Sequence, residues 1–511
     1  MAGVTFEDIR QQKVKPVRPR SAVPSPQNLE MASVSAAIVP EHGLKLVSPA
    51  AWDRSHHRLP AQTKRKLPFE DDVKLALGRR LTDPFFQDLN HDARFYISYF
   101  NHSVCKDLVI YDLPQQNPFR ELIPLATQHP VLLNIIIANS ALNMANASQQ
   151  STARSFSLSL QPSKIPPSIP QLWISPTSQS SSWYKDALVA KHRALRFLNA
   201  VLNDVDSTGI DIALGSVLLF TEFELADSGI KDWRLHMHGA RALINSVKEP
   251  YTLQYANMSS LRRRLIANCL VYDVLSSTLA RPESSGPPQC SSMMVRSSLQ
   301  YAEANNYLSF PAVLLERVLV TAQLSQAIQD RSPAKSITSA QEYQIASLLH
   351  AAQSFDARDW ASTLQSISPH GDLESRIHVA SAHKAAVCIY ISRVLRLLSP
   401  TAEVPDDLEL LVSDIIHHLS FVTSNSELFK ATSWPTFVAG ADTRDLEQQA
   451  WAMARLRELW ACLPCTMGYV RSAMEILGAI WHKRDAAMGG TTHTGDWIQD
   501  LQVLEIDLMI A

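Results

Sequence analysis

From about Phe85 onward, apolar residues recur along the chain at intervals of three and four positions. This spacing places them on one side of a helix, so it predicts amphipathic α-helices that pack against one another. Segments that alternate apolar and polar positions between hairpin turns are hard to find. We therefore predict an all-α fold, a large multi-helix array in which antiparallel helices pack through short turns. The predicted helices vary in length and show no fixed repeat period, which argues against a regular solenoid.

Two segments, residues 131–147 and 211–225, are strongly apolar, and such helices are typically buried. The first is short for a membrane span and contains Asn134 and Asn139, so we expect a buried helix rather than a membrane span. Further helices are predicted over residues 184–202, 384–398, 408–422, 448–463 and 471–481.

The helix predicted over residues 184–202 has an apolar face and a basic face. The apolar face is formed by Ala187, Ala194, Leu198 and Val201. Lys191, Arg193 and Arg196 are expected to point more outward.

Two parts of the chain lack the helical pattern. Residues 1–84 are rich in proline, serine and charge, and such a segment cannot bury enough apolar surface to fold, so we predict a disordered basic tail. Residues 148–182 contain 12 serines and 5 prolines, and we expect a loop or flexible insertion there. The helical domain is then predicted to span residues 85–511.

The last stretch of the chain, residues 495–511, is predicted to be a closing helix that packs on the rest of the domain. Its apolar residues at helical spacing are Trp497, Leu501, Leu504 and Leu508.

Residues 231–244, KDWRLHMHGARALI, combine a tryptophan, two histidines, two arginines and a glycine. On a helix of about 3.6 residues per turn, one stripe is formed by Trp233, Met237, Ala240 and Ile244. A second stripe is formed by Arg234, His238, Arg241 and Asn245. Gly239 has no side chain, so it is expected to let a neighbouring helix approach closely. Packing between helices accounts for each of these residues.

No metal or cofactor site is predicted. His236 and His238 are two residues apart, so on a helix their side chains point about 200° apart and cannot share one ion. Cys462 and Cys465 form a C-x-x-C pair, but neither the context of a redox site nor two further zinc ligands accompany it. Pro464 between them indicates the end of a helix instead.

No catalytic residue is predicted either. The sequence contains no G-x-S-x-G, P-loop, G-x-G-x-x-G or H-E-x-x-H motif. His417 and His418 lie in an amphipathic segment, where a partly exposed pair is expected. An all-α enzyme without a recognised motif is the least favoured alternative.

Four segments, in order along the chain, resemble the fungal-specific transcription factor domain, the large helical region of fungal zinc-cluster regulators. Together they span about residues 95–485. Residues 95–144 are similar to the opening of that domain, residues 184–202 to its next helix, and residues 434–451 to its Trp-Pro-x-Phe-x-Ala-Gly motif. The residues that match its signature helix are Trp233, Arg234, His236, Gly239 and Ala240.

The resemblance implies the regulatory domain of a transcription factor, of a kind often linked to metabolism or secondary-metabolite gene clusters, and it implies no catalytic residue. Such regulators usually bind DNA through an N-terminal zinc cluster of six cysteines, whereas residues 1–104 contain no cysteine. We therefore expect DNA contact to be indirect or to depend on a module missing from this sequence. Other transcription factors or a second copy of the chain are the expected partners, with a small-molecule effector as a further one. The alternative is a helical module that binds a ligand or protein without acting on DNA.

Charge separates the tail from the helical body. Residues 1–80 hold 14 Lys/Arg against 8 Asp/Glu, while the remainder holds 33 against 41. A basic tail is typical of nuclear import or phosphate contact, but also of a merely solvated segment. The candidate import cluster is Lys64, Arg65 and Lys66. The six scattered cysteines favour a reducing compartment, and with no signal-peptide pattern we expect a nuclear protein without membrane association.

Overall fold

A computed structural model describes residue 86 and residues 88–510, with gaps at 114, 160–177, 204–206, 231, 247–257, 280–291, 330–336, 369–371, 401, 403–407, 488–495 and 504–506. Contacts divide the chain into Met1–Lys66 and Leu67–Ala511, and every described residue belongs to the second unit. The predicted tail and its cluster at Lys64, Arg65 and Lys66 lie outside the described residues.

The described residues are helical almost throughout, which confirms the all-α prediction. The first nine helices are α1 His91–Tyr99, α2 Pro118–Ala126, α3 Pro130–Ser159, α4 Ser178–Asn203, α5 Ser207–Asp227, α6 Trp233–Ser246, α7 Ser260–Leu279, α8 Ser292–Asn305 and α9 Ala312–Gln329. The others are α10 Ser339–Gln353, α11 Ala357–Ile367, α12 Leu373–Leu398, α13 Leu408–Ser420, α14 Ser433–Asp442, α15 Leu446–Cys462, α16 Met467–Ala487 and α17 Trp497–Val503. A π-helical turn, Phe100–Val104, continues α1, and short 3₁₀ turns lie at Glu427–Thr432 and Pro464–Thr466.

Helices α3 and α4 form an antiparallel pair. The Ser180 hydroxyl near the start of α4 donates to the Ala145 carbonyl at 3.3 Å. Further along α4, Asp186 accepts from the Tyr96 hydroxyl at 2.9 Å, and the Tyr96 carbonyl accepts from Ser140 of α3. Later residues of α4 thus face earlier residues of α3, as the prediction of antiparallel packing requires.

The face of α4 that packs on the core is the predicted one, because Ala187, Ala194 and Leu198 are buried. The prediction for Lys191 is wrong. Its ammonium lies 2.7 Å from Glu224 of α5, and the lysine side chain is only 18% exposed. The long aliphatic stem covers apolar surface while the charged end reaches a carboxylate on the next helix.

The prediction of a loop over residues 148–182 is wrong at both ends. Helix α3 continues to Ser159 and α4 begins at Ser178. Once the strongly apolar part of α3 is packed, each added residue gains a backbone hydrogen bond at little further cost, so helix propagates into the serine-rich sequence. Residues 160–177 lie outside the described residues.

Helix α5 is buried on all sides, as its apolar pattern predicts. Leu214, Leu218, Phe220 and Phe223 have no exposed surface, and neighbours from α3, α6, α7 and α16 surround the helix. It ends at Asp227, followed by Gly229 with a φ of 68°, a left-handed conformation that favours glycine.

Helix α3 carries a buried polar stripe within its apolar sequence. Asn139, Asn143, Asn146 and Gln150 are all buried and recur at intervals of four, three and four residues, so they share one face. The Asn146 amide donates to the Ala226 carbonyl at 3.1 Å and to the Pro464 carbonyl at 3.0 Å. The last carbonyls of a helix lack hydrogen-bond partners within that helix. Asn146 therefore supplies a donor to the end of α5 and to the turn that follows α15.

The same helix contains the one segment, among the described residues, that is long and apolar enough to cross a membrane. It is Pro130–Ser151, and 67% of its most apolar window is buried inside the protein. Its buried polar stripe binds neighbouring helices, so α3 has the character of a core helix, as predicted from Asn134 and Asn139.

The prediction of a helix through Leu508 is wrong. Helix α17 ends at Val503, and Leu508 lies in an extended segment that forms an isolated antiparallel bridge with Ile230. The Met509 amide donates to the Gly229 carbonyl at 3.0 Å. The segment is almost fully buried at Leu508, Met509 and Ile510. It supplies a hydrogen-bond donor to the Gly229 carbonyl, which would otherwise lack one just after α5.

Candidate functional site

Helix α6 carries the signature stretch, and its apolar stripe is buried as predicted. Trp233, Met237, Ala240 and Ile244 are at most 3% exposed. The Trp233 indole N–H donates to the Asp507 carbonyl at 3.2 Å. The tryptophan therefore fixes α6 to the C-terminal extended segment, which lies far away in the sequence.

The two arginines of α6 are held by carboxylates of other elements. Arg234 lies 2.5 Å from Asp507, and both side chains are largely buried. Arg241 lies 2.6 Å from Asp273 of α7. Partly buried ion pairs of this kind set the position of a helix, because removing one partner leaves the other charge poorly solvated.

His236 contributes to the junction of α4, α5 and α6. Its Nε2 atom lies 3.2 Å from the Glu224 carboxylate, which also binds Lys191, and its ring stacks on Phe220 at 5.0 Å. Burial acts to raise the pKa of Glu224, but the histidine and the lysine outweigh it and hold that pKa below its usual value. The side chain of His236 thus packs on Phe220 and forms a hydrogen bond with Glu224.

The expected role of Gly239 is not supported. A β-carbon added there would meet only Val217, at 3.9 Å, which is ordinary van der Waals contact. The close approaches lie at two other glycines. A β-carbon on Gly229 would lie 2.3 Å from that of Tyr469, and one on Gly468 would lie 2.4 Å from the Asp227 carbonyl carbon. The end of α5 and the start of α16 can therefore approach this closely because each has a glycine at the contact.

The C-x-x-C pair has no metal geometry. Helix α15 ends at Cys462, which is exposed, and Cys465 follows in the 3₁₀ turn that Pro464 begins, so the predicted helix end is confirmed. Burial raises the pKa of the Cys465 thiol far above its usual value. Such a thiol is a poor nucleophile and a poor metal ligand. Within the described part of the chain, no group of three or more His, Cys, Asp or Glu residues is placed to hold an ion.

A small cavity lies among buried side chains of the described domain. Glu222 of α5, Tyr272 of α7, Tyr307 and Tyr469 of α16 line it together with Cys465. The Tyr272 hydroxyl donates to Glu222 at 2.6 Å, and the hydroxyls of Tyr307 and Tyr469 lie 2.8 Å apart. The cavity leaves about 10 Å³ for the centre of a water-sized molecule, roughly the room that one water needs.

Glu222 is the carboxyl group of this cavity, and its buried surroundings shift its pKa. Burial raises its pKa from 4.5 to about 7, and the hydrogen bond from Tyr272 only partly opposes that rise. Near neutral pH the carboxyl group therefore exchanges a proton. Sequence patterns did not single out Glu222, because a lone glutamate in an apolar helix has no local signal that identifies its partners.

The histidine pair of α13 is partly exposed, as predicted, with His417 exposed and His418 partly buried. His418 is half-buried and lies against His378 of α12, a residue that sequence analysis did not single out. The two histidines are 40 positions apart in the sequence, so the period of a single helix could not predict their contact.

The all-α array and the packing of α6 define a large helical domain. The fungal-specific transcription factor domain matches residues 94–509. This covers most of the chain, so the chain belongs to that family and is a fungal transcription regulator.

Acriflavine sensitivity control protein acr-2 of Neurospora crassa is a relative of this chain. It is 33% identical over 442 residues, which cover 84% of this chain and 69% of the relative. No solved structure matches the chain significantly.

Proposed function

We propose that this regulator acts in the nucleus and controls metabolic or secondary-metabolite genes without performing chemistry. The family match over residues 94–509 carries the proposal. The signature helix supports it, because Trp233, Arg234 and His236 are each bound to other parts of the protein. Side chains held in this way stabilise a scaffold and are not available to a substrate.

The relative suggests which genes such a regulator could control. Its name concerns the control of sensitivity to acriflavine. By analogy, we propose that genes setting tolerance to a toxic compound belong among the targets, beside metabolic genes.

DNA contact is proposed to be indirect, through another transcription factor or a second copy of the chain, or to depend on a module that this sequence does not contain. The absence of cysteine from residues 1–104 supports this, because a zinc cluster needs several thiolates converging on the metal. A basic tail alone supports only weak, salt-sensitive association with phosphates. Purified protein should therefore show no sequence preference among DNA duplexes, and any retention should vanish as salt is raised.

Chromatin occupancy of the tagged protein in its own cell tests the proposal. We expect enrichment at a limited set of promoters, and altered transcripts of the same genes when the protein is deleted. A cytosolic protein without chromatin signal, or a deletion that leaves those transcripts unchanged, would contradict the regulatory role.

Nuclear import is predicted to depend on Lys64, Arg65 and Lys66. Replacing all three by alanine should lower the nuclear-to-cytoplasmic ratio, because import clusters are read through their positive charges. The measurement is quantitative fluorescence microscopy of a fusion protein. A variant with Lys13, Lys15 and Arg18 replaced loses the same charge and should keep the wild-type ratio. Equal loss in both variants would count against the assignment, and a heterologous import signal should restore occupancy.

A second role, binding of a small effector, has one observation in its favour. The cavity at Glu222 brings a carboxyl group and three tyrosine hydroxyls together inside an apolar core, as binding sites do. Its size limits the idea, because an organic effector requires the surrounding helices to separate.

A further inference from the structure

Two histidines from neighbouring helices approach each other at the surface of the domain. His378 lies near the start of α12 and His418 near the end of α13. Their Nδ1 atoms are 3.0 Å apart, and the two ring centroids are 5.3 Å apart. One imidazole donates to the other in this arrangement, so the pair shares a single proton between two nitrogen atoms.

We propose that His378 and His418 form a binding site for a divalent transition ion that favours imidazole nitrogen, such as Cu²⁺ or Zn²⁺. Imidazole nitrogen binds such ions at about 2.0–2.1 Å. The two nitrogen atoms face each other almost in line, because a centroid separation of 5.3 Å is close to the largest that a 3.0 Å contact allows. Each ring must therefore turn about its Cβ–Cγ bond to direct its nitrogen atom at one shared ion. When the ion binds, the proton between the two Nδ1 atoms moves to Nε2 of its own ring, so that both Nδ1 lone pairs are available to the ion.

The charges that face the pair come from both helices and from elements packed on them. Carboxylates lie one turn before each histidine on the same helix, Glu374 before His378 and Asp414 before His418, and residues four apart share one side of a helix. Asp372 adds a further negative charge. The positive groups that oppose a cation are Arg358 and Lys384.

Within the described residues, the protein offers only these two histidines as ligands, because no third His, Cys, Asp or Glu side chain is placed to hold the same ion. Water must complete the coordination. One side of the pair is covered, because the Phe421 ring stacks on His378 at 4.5 Å, while Phe421 itself is 55% exposed. The site is thus open to solvent on the other side, and its affinity will be modest.

Metal titration of the purified full chain tests this site. Zn²⁺ added after removal of trace metal should bind in a one-to-one ratio by isothermal titration calorimetry and should raise the melting temperature. His378→Asn and His418→Asn should each weaken that binding at least about tenfold. The matched control is His350→Asn, since His350 is an exposed histidine on α10 outside the pair.

Cu²⁺ provides a readout that stability alone cannot mimic. Its electron paramagnetic resonance spectrum should show two coordinated nitrogen atoms in the wild type and one in either single variant. Equal Zn²⁺ affinity in the wild type and both variants, or a Cu²⁺ spectrum without nitrogen coupling, would overturn the proposal. Circular dichroism in the presence of chelator confirms that each variant is folded before titration. These results do not depend on where the protein acts, so they are separable from the proposed nuclear role.

Discussion

The two glycines Gly229 and Gly239 differ in what an added methyl group would meet, a difference that the sequence alone does not reveal. Gly229 has a φ of 68°, and a β-carbon there would lie 2.3 Å from that of Tyr469. Gly239 lies inside α6, where the same atom would make only ordinary contact. One glycine is required by backbone geometry, and the other carries the entropic cost of glycine in a helix without a compensating contact.

Gly229→Ala is expected to destabilise the protein by more than about 3 kcal/mol, because the left-handed backbone is strained for alanine and the overlap must be relieved by moving α16. Gly239→Ala should stabilise it by about 0.5–1 kcal/mol. Urea denaturation measures the free energy of unfolding of each variant. Loss of stability in Gly239→Ala comparable to that in Gly229→Ala would show that α6 needs its glycine for close packing.

Glu222 should give the protein a pH-dependent stability opposite in sign to that of a salt-bridged carboxylate. Its folded pKa of about 7 lies above the ordinary 4.5, so the folded state retains a proton that the unfolded chain releases. The contribution is fully present below pH 4.5 and is lost as the pH rises through 7. The loss amounts to about 3 kcal/mol.

Glu222→Gln removes this titration and keeps an acceptor for the Tyr272 hydroxyl. Its advantage in the free energy of unfolding over the wild type should therefore grow between pH 4.5 and 8. Denaturation at several pH values, compared as a difference between the two proteins, removes the contributions of other groups. A constant difference across that range would mean that Glu222 titrates normally.

At the scale of single helices, the polar stripe of α3 joins this helix to the ends of others. Asn146 satisfies carbonyls of α5 and of the 3₁₀ turn after α15, and Gln150 donates to the Trp460 carbonyl at 2.5 Å. Buried carbonyls without a donor are costly, so these amides determine how α3 meets its neighbours.

Asn146→Ala should lower the free energy of unfolding by about 2 kcal/mol, since it removes a donor from the buried Ala226 carbonyl and from the partly buried Pro464 carbonyl. Asn134→Ala is the matched control on the same helix. Asn134 donates only to the Pro130 carbonyl one turn earlier and is partly exposed, so this change should stay within about 0.5 kcal/mol. Thermal and urea unfolding of both variants provide the comparison, and similar losses would assign no special role to the stripe.

Sequence periodicity predicted helices well where the pattern is local. The apolar character of α5 and the stripe of Trp233, Met237, Ala240 and Ile244 on α6 each follow from residues within one segment. The same reasoning failed at residues 148–182, where the serine content led to the prediction of a loop although helix extends into the segment at both ends. It also failed at Leu508, where apolar residues at helical spacing belong to a segment that pairs as extended chain.

At the scale of the whole molecule, the features that sequence analysis missed involve partners distant in the sequence. Lys191 points inward because Glu224 of another helix attracts it, and His418 faces His378 because α12 and α13 fold back on one another. The cavity at Glu222 is lined from α5, α7 and α16, from the segment that carries Tyr307, and from the 3₁₀ turn that carries Cys465. Periodicity within one segment contains no information on such partners, so the fold class was predictable and the sites were not.

The indole of Trp233 and its acceptor at Asp507 are 274 residues apart. A ribosome must therefore pass residue 507 before this bond can form, and contacts closed so late in the chain are slow to assemble. Until then, the apolar surface that Leu508, Met509 and Ile510 cover stays exposed on the nascent chain. A nonsense codon just before these residues will leave that surface uncovered, and the truncated product will be a substrate for chaperones and proteases.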